Sequence, residues 1–191
     1  MLNQFNHFIQ CPIIVTSVYK FKEKKQSILD AINNSAEAYP ELNTKVELNV
    51  LKSDWHNNEN PDREWFQMVY PFLHDNILQS CKTIGFNSYN LLQAWFQQYT
   101  HLGSHGWHIH SGNFSGVFYV DLPQSSPVTL FCDPLSKETF FPNATEGDVV
   151  IFPSFILHKS VHNQSKETKT IISFNFDVGY PDEFYGDGIN E

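Results

Sequence analysis

The spacing of apolar and polar positions divides the chain into a mainly helical first part and a second part of short strands. Residues 12–21 are rich in β-branched and aromatic residues, which is typical of a strand. In residues 22–38 the apolar positions recur at helical spacing, and Pro and acidic residues in a first turn predict a second helix over residues 61–78. We expect Pro71 to kink that helix, and residues 39–60 to be loop with one short strand at most.

After Gly85 the pattern changes to strand-like runs separated by the turn residues Gly, Pro, Asn and Ser. The runs cover residues 89–100, 107–110, 116–122, 128–132, 138–141, 148–152, 157–161 and 168–177. Strands this short and this closely spaced predict a barrel or a sandwich. We therefore expect one mainly β domain with N-terminal helices, in which residues 1–85 form a helical support region, residues 86–177 the barrel core and residues 178–191 a poorly ordered acidic tail.

The composition narrows the classes of function that the chain can have. A length of 191 residues suits one domain, and a formal net charge of −9 disfavours nucleic-acid binding, which needs clustered Lys or Arg. The three cysteines, Cys11, Cys81 and Cys132, are odd in number, far apart and without a C-x-x-C pair, so we expect neither a cysteine zinc site nor a disulfide framework, which fits a reducing cytoplasm. No apolar run reaches the length of a membrane helix, and the first residues do not resemble a signal peptide.

The histidines are the strongest chemical signal in the sequence. Most of them fall in two clusters on or beside predicted strands: His101, His105, His108 and His110, then His158 and His162. A lone histidine is usually a surface or core residue, but His108 and His110 are two apart, and such residues of a strand point to the same face. His158 would complete three ligands around one metal ion, with open positions opposite them. His105 is on the wrong face for a ligand, and His162 is the weaker candidate of its cluster.

The sequence around these histidines resembles a family of 2-oxoglutarate/Fe(II) oxygenases found in marine bacteria and phages. The resemblance lies within residues 89–177, in the segments Trp107-His108-Ile109-His110, Ser115-Gly116-Val117-Phe118-Tyr119-Val120, Asp133-Pro134, Gly147-Asp148-Val149-Val150-Ile151-Phe152-Pro153 and Ile172-Ser173-Phe174-Asn175. It implies a double-stranded β-helix, a jelly-roll or cupin-like barrel. It also implies bound Fe(II), with 2-oxoglutarate and O2 as co-substrates, and hydroxylation of an unactivated C–H bond.

One position departs from the wider superfamily. Many such oxygenases have a carboxylate two residues after the first histidine, whereas this chain has His110 there. A third imidazole is chemically reasonable for iron but gives the site one more positive charge. The sequence leaves open whether the triad is His108, His110 and His158, or whether an acid such as Asp121 supplies the missing ligand.

A 2-oxoglutarate site also needs a cation for the far carboxylate of the ligand. Lys169 follows His158 by eleven residues, and it shares one strand face with Ser173 and Asn175. The family commonly has Arg at this position, and a chain with one Arg among its 12 basic residues makes Lys an unsurprising exchange. Tyr119 resembles the tyrosine that hydrogen-bonds the same carboxylate in related hydroxylases. The sequence thus predicts four co-substrate contacts, from Lys169, Tyr119, Ser173 and Asn175.

These features predict an Fe(II)- and 2-oxoglutarate-dependent oxygenase, a hydroxylase of a protein side chain or a small metabolite. Halogenation is disfavoured, because halogenases leave vacant the position that His110 fills. One alternative is a cupin-like three-histidine dioxygenase or isomerase without 2-oxoglutarate, which would not need Lys169. The other alternative is a non-catalytic barrel that binds a partner.

Overall fold

A computed structural model describes residues 11–35, 50 and 52–179 of the chain. The strands are β1 Ile14–Ser17, β2 Lys52–Ser53, β3 Ser88–Tyr99, β4 His105–His108, β5 Phe114–Asp121, β6 Thr129–Cys132, β7 Thr139–Phe140, β8 Asp148–Pro153, β9 His158–Ser160 and β10 Lys169–Gly179. The helices are α1 Phe21–Asn34 and α2 Glu64–Thr83, with a short 3-10 turn at Trp55–Asn57. Each strand expected after Gly85 is present, and β10 runs two residues beyond its expected end.

The strands form two antiparallel sheets, as expected for a double-stranded β-helix. The larger sheet has the order β1-β8-β5-β10-β3-β2, and the smaller one has the order β4-β9-β6-β7. Their inner faces share one apolar cluster, because Val150 and Ile171 of the larger sheet pack together with Phe131 of the smaller one. The Phe131 and Phe152 rings meet edge to face at 4.8 Å. The expectation of a mainly β barrel with N-terminal helices is therefore confirmed.

The two helices cover the outer face of the larger sheet. Ile28 of α1 and Val69 of α2 are fully buried in a second apolar cluster with Phe118, Ile172 and Phe174 of the sheet. Residue burial of this kind is what stabilises an amphipathic helix in a protein. Neither helix in the described part of the chain is long and apolar enough to cross a membrane.

The predicted boundaries of the first part need three corrections. The first strand is shorter than expected, because Lys20 has a left-handed backbone (φ 54) that ends the extended run before α1. Phe21, expected in the strand, begins α1 and packs edge to face on Phe118 at 5.1 Å. Helix α2 continues through Pro71 as expected, but it ends at Thr83, five residues beyond its expected end. The expected helix residues 36–38, most of the expected loop and residues 180–191 of the expected tail lie outside the described residues.

A buried ion pair fixes β3, the strand that runs beside the candidate site. The Asp54 carboxylate is fully buried and accepts hydrogen bonds from Arg63 Nη1 at 2.7 Å and Trp65 Nε1 at 2.8 Å. Its other oxygen accepts the backbone N–H of Phe96 in β3 at 2.9 Å. The one arginine of the chain therefore holds α2 and β3 together rather than binding an anionic ligand.

Gly116 has a packing role in the Ser-Gly-Val segment of β5. It lies opposite Phe174 of β10, and a methyl group on its Cα would collide with the Phe174 ring. The absence of a side chain leaves room for the outer edge of the ring, which belongs to the apolar cluster on the helix side of the sheet. The glycine therefore serves the core and not the chemistry of the inner face.

Candidate metal centre

Three histidine side chains converge on the inner face of the barrel. His108 ends β4 and lies opposite His158, the first residue of β9. His110 follows the strand, and its backbone N–H donates to Ser154 O at 3.0 Å. One ligand atom from each of these three side chains lies within 4.8 Å of the other two, which is close enough to hold one metal ion. The expectation that His108 and His110 share a strand was wrong, since β4 ends at His108, yet the chain still brings both rings together.

The hydrogen bonds of the rings leave suitable lone pairs for a metal. His108 Nδ1 lies 2.7 Å from Gly106 O, and His158 Nδ1 lies 2.8 Å from Ile156 O. A carbonyl oxygen only accepts, so each Nδ1 carries the proton and each Nε2 keeps an unshared pair. Backbone carbonyls hold metal-binding histidines in this way, fixing both the tautomer and the ring plane. The donor set therefore fits a metal that prefers imidazole, such as Fe(II).

The electrostatic environment favours the neutral rings that metal binding needs. Burial, with a smaller contribution from the neighbouring imidazoles, lowers the pKa of His158 to about 2 and the pKa of His110 to about 4. Burial also lowers the pKa of His108. Because a positive charge on one ring would repel charge on the next, the three rings are neutral at neutral pH.

His105 is closer to this centre than its sequence position predicted. The pairing of β4 with β9 is irregular between His105 and His108, so the simple alternation of strand faces does not hold there. As a result the His105 ring stacks on the His108 ring, with centroids 3.9 Å apart and planes 11° apart. His105 fixes the plane of a candidate ligand. His162 is exposed, and its Nδ1 bonds Leu102 O at 2.9 Å.

No carboxylate joins the histidines in the part of the chain that the structure describes. Asp121, the acid that the sequence left open as a ligand, instead pairs with Lys25 Nζ of α1 at 2.7 Å. The same ammonium binds Glu146 at 2.8 Å. This three-residue ion cluster joins the first helix to the end of β5, and it leaves an all-histidine donor set at the centre.

Lys169 is buried at the start of β10, 1% exposed, with no carboxylate partner among the described residues. Its Nζ donates to Pro127 O at 2.7 Å and to Ser160 Oγ at 3.3 Å. Ser160 is two residues after His158 on β9, and both side chains are buried on the same face. Two residues of a strand span roughly 7 Å. Burial lowers the pKa of Lys169 to about 7, because an ammonium without an anion is costly in such a place.

Tyr119 and Thr129 extend this polar end of the barrel. Tyr119 is fully buried, and its hydroxyl donates to Thr129 Oγ1 and accepts the Thr129 backbone N–H, each at 3.0 Å. Thr129 lies opposite Ser160 in the pairing of β6 with β9. The sequence reasoning missed Thr129 and Ser160. A signal existed for Ser160, since it lies two residues after His158 and so shares its face, but none singled out Thr129.

Ser173 and Asn175 lie further along β10 on the inner face. Asn175 Oδ1 accepts from Ser115 Oγ at 2.8 Å, and its Nδ2 donates to Gln93 Oε1 at 3.3 Å. Ser173 is buried opposite Trp95 of β3. Asn175 is therefore held in one orientation by protein groups, and it keeps one amide hydrogen for a ligand.

Comparison with known proteins identifies the segment that carries this centre. Residues 93–175 match a family model described as "Putative 2OG-Fe(II) oxygenase". That segment contains all three histidines and each of the four residues expected to bind the co-substrate. No curated protein sequence matches the chain.

Solved structures of prolyl hydroxylases share the fold. A prolyl-4-hydroxylase of Pseudomonas putida superposes with a TM-score of 0.61 at 11% identity, over 88% of this chain and 92% of that one. A viral collagen prolyl hydroxylase from Paramecium bursaria Chlorella virus-1, in complex with 2OG, gives a TM-score of 0.60 at 13% identity, over 86% and 94%. A Trichoplax adhaerens prolyl hydroxylase, bound to a hypoxia-inducible-factor peptide fragment, superposes with a TM-score of 0.63 at 10% identity, over 93% of this chain and 87% of that one.

Proposed function

Residues 93–175 match a model of 2OG-Fe(II) oxygenases, and we propose that the chain is an Fe(II)- and 2-oxoglutarate-dependent hydroxylase with an all-histidine metal site. His108, His110 and His158 are the metal ligands in this proposal. Lys169 is the cation for the far carboxylate of 2-oxoglutarate, and Tyr119, Ser173 and Asn175 line the pocket between them. Residues 1–191 act as one domain, in which the N-terminal helices support the barrel.

The observation that carries the proposal is the position of Lys169 relative to the histidines. Its Nζ contacts Ser160, one two-residue step along β9 from His158, so the cation lies about 7 Å along the strand from a candidate ligand. A five-carbon dicarboxylate fits between a metal and a cation at such a spacing. The ligand would also supply the anion that this buried lysine lacks.

Each residue then has a defined task in the reaction. The histidines hold the metal through neutral Nε2 atoms, on one side, so that the opposite positions stay open. Bound Fe(II) would supply the redox chemistry that couples decarboxylation of 2-oxoglutarate to hydroxylation of a C–H bond. Lys169 orients the co-substrate by its far carboxylate, so that its 2-oxo end is directed toward the metal. The rings of Phe152 and Phe131, 4.7 and 5.9 Å from the His158 ring, keep water away from that ligand.

The hydroxylated substrate is a small molecule or a protein side chain in this proposal. The Trichoplax prolyl hydroxylase with this fold is bound to a peptide fragment, which supports a peptide among the candidates. We place the protein in the cytoplasm, because Cys11, Cys81 and Cys132 are all free thiols, as a reducing compartment favours.

The proposal is tested by binding under anaerobic conditions. Fe(II) and then 2-oxoglutarate are added to the purified protein, and the visible charge-transfer absorption of the ternary complex is recorded. We expect the band with the wild-type protein and with His162→Ala, a matched control outside the centre, and no band with His158→Ala. A wild-type protein that binds Fe(II) but gives no band would rule out 2-oxoglutarate as the co-substrate.

A three-histidine enzyme that does not use 2-oxoglutarate is the second candidate. The all-imidazole donor set favours it, since a carboxylate is missing from the described centre. Lys169 separates the two candidates, because a cupin-like dioxygenase or isomerase has no use for a buried cation at this position. Metal binding without any effect of 2-oxoglutarate on the protein would support this second function, or a barrel that only binds a partner.

A further inference from the structure

Trp95 lies beside the metal centre, although neither the sequence motifs nor the family resemblance singled it out. Its side chain is 3% exposed, and its ring centroid lies 5.6 Å from that of His110. On β3 it is opposite Ser173 of β10, which is in turn opposite Val117 of β5. Val117 belongs to the apolar cluster between the two sheets. The indole therefore faces the inside of the barrel.

The indole N–H of Trp95 is a buried donor without an acceptor. Trp95 Nε1 is the one buried side-chain nitrogen or oxygen among the described residues that has no hydrogen-bond partner. The other buried tryptophan, Trp65, donates its Nε1–H to Asp54 at 2.8 Å. Since nearly all buried polar groups in proteins are paired, an unpaired donor at a ligand site indicates an acceptor that arrives with the ligand.

The surroundings of Trp95 indicate an anionic acceptor. The candidate metal ligands are all imidazoles, so a divalent cation bound there would keep its full charge, with no protein carboxylate to balance it. Ser173, which lies opposite Trp95 in the sheet, does not accept the indole N–H, and the Asn175 amide oxygen already accepts from Ser115. A carboxylate at this point would satisfy both the metal and the indole N–H.

The position of Trp95 along the barrel selects one carboxylate of the co-substrate. Lys169 is opposite Tyr99, whereas Trp95 is opposite Ser173, four residues or about 13 Å further along β10. The lysine side chain and a five-carbon dicarboxylate placed end to end span such a distance. The far carboxylate then lies at Lys169. The carboxylate next to the 2-oxo group lies level with Trp95, whose ring is 5.6 Å from that of His110.

We propose that the Trp95 indole N–H donates a hydrogen bond to the C1 carboxylate of 2-oxoglutarate, the one next to the 2-oxo group. The contact gives the all-histidine site a directional anchor for that end of the co-substrate, complementary to Lys169 at the other end. This contact rests on the proposed 2-oxoglutarate dependence. If it forms, the indole N–H resonance of Trp95 should change when 2-oxoglutarate binds, and this change is observable without turnover.

Indole N–H resonances of the 15N-labelled protein loaded with Zn(II), which is diamagnetic, give the direct readout. The protein has four tryptophans, and the resonance missing from Trp95→Phe belongs to Trp95. We expect 2-oxoglutarate to move this resonance downfield and slow its exchange with water. Succinic semialdehyde, which lacks only the C1 carboxylate, should leave the resonance near its ligand-free position. If Trp95→Phe folds poorly, a variant without the exposed Trp55 and Trp107 gives the assignment instead, because only two indole resonances remain. Of these two, Trp65 already donates to Asp54, so the resonance that responds to 2-oxoglutarate should be that of Trp95.

Binding constants give the second readout. Trp95→Phe keeps an aromatic ring beside His110 but removes the donor, so we expect 2-oxoglutarate to bind about 10- to 100-fold more weakly, as for other hydrogen bonds to charged groups. Metal affinity in the absence of 2-oxoglutarate should not change. Trp107→Phe is the matched control, because Trp107 precedes a candidate ligand but is exposed on the outside, 40% accessible, and should alter neither constant.

Three results would overturn the assignment. An unmoved Trp95 resonance in a protein that binds 2-oxoglutarate would refute the contact and leave the proposed function intact. Equal weakening of metal and co-substrate binding by Trp95→Phe would show a merely structural role. A wild-type protein that binds Zn(II) but not 2-oxoglutarate would refute the proposed function, and this contact with it.

Discussion

Lys169 Nζ lies 3.3 Å from Ser160 Oγ, and this contact joins the buried cation at the start of β10 to the strand that begins with His158, a candidate metal ligand. The lysine is buried and has no anionic partner in the described residues, so a missing anion is the simplest reason for its position. His158 lies on the same strand face, two residues before Ser160. The spacing between cation and histidines is thus set by the backbone of one strand.

Removing the charge of Lys169 should weaken co-substrate binding without affecting the metal. For Lys169→Met we expect about 10- to 100-fold weaker 2-oxoglutarate binding, the usual cost of losing a hydrogen bond to a charged group. Lys169→Arg keeps the charge and should weaken 2-oxoglutarate binding less. Equilibrium titration of the metal-loaded proteins checks this, and identical affinity in wild type and Lys169→Met would remove the lysine from the anchor role.

The affinity for 2-oxoglutarate should fall as the pH rises above 7. Burial lowers the pKa of Lys169 to about 7 in the ligand-free protein, while a bound carboxylate favours the protonated amine, so binding takes up a proton above that pH. The dissociation constant should rise by up to about tenfold per pH unit there. A titration series between pH 6 and 9 measures it, and Lys169→Arg, which stays charged, should show a flat profile. A wild-type profile as flat as that of the Arg variant would contradict the prediction.

The same lysine should make the ligand-free protein more stable at high pH. The folded chain releases the Lys169 proton near pH 7, whereas the unfolded chain holds it up to about 10.5. Between these values the unfolded state binds more protons, so the free energy of unfolding rises with pH by up to about 1.4 kcal/mol per unit from this group. Urea unfolding of wild type and Lys169→Met across the window isolates the effect. Parallel pH profiles for the two proteins would refute it.

His105 should support the metal site without being a ligand. Its ring stacks on His108 at 3.9 Å, and aromatic pairs of this kind contribute about 0.5–1.5 kcal/mol. His105→Ala should therefore weaken Fe(II) binding by roughly tenfold or less, and His105→Phe, which keeps a flat ring, should restore it. His108→Ala should abolish binding. If His105→Ala abolished binding as well, His105 would have to be counted as a ligand.

The Asp54–Arg63 pair should be essential for stability but not for chemistry. Asp54→Ala leaves the Arg63 charge buried without a partner and also removes the acceptor of Trp65, which typically costs about 3–5 kcal/mol. Chemical denaturation measures this loss, with Asp62→Ala on the exposed side of the same loop as the control. A loss no larger than that of the control would show that the network does not hold β3.

Much of the fold could be predicted because its signals are local. Turn residues and alternating apolar positions gave the strands after Gly85, and two strand-borne histidine clusters indicated the metal centre. The boundaries near Lys20 and the end of α2 at Thr83 could not be predicted, because they depend on a single backbone conformation and on tertiary packing.

The parts of the site that escaped prediction depend on contacts between distant segments. The stacking of His105 results from an irregular strand pairing, which periodicity does not show. Ser160 and Thr129 are small polar residues without a motif, and only strand register brings them together. Trp95 is distinguished by a buried indole N–H without an acceptor, and this property can be recognised only in the folded structure.

The proposed dependence on 2-oxoglutarate is tested most directly by the fate of 2-oxoglutarate in air. Purified protein is incubated with Fe(II), ascorbate and 2-oxoglutarate, and succinate is quantified with the wild type, His158→Ala and His162→Ala. We expect Fe(II)-dependent succinate formation by the wild type and by His162→Ala, and none by His158→Ala. A folded, Fe(II)-loaded wild-type protein that forms no succinate, or a His158→Ala variant that forms as much as the wild type, would refute the proposed function.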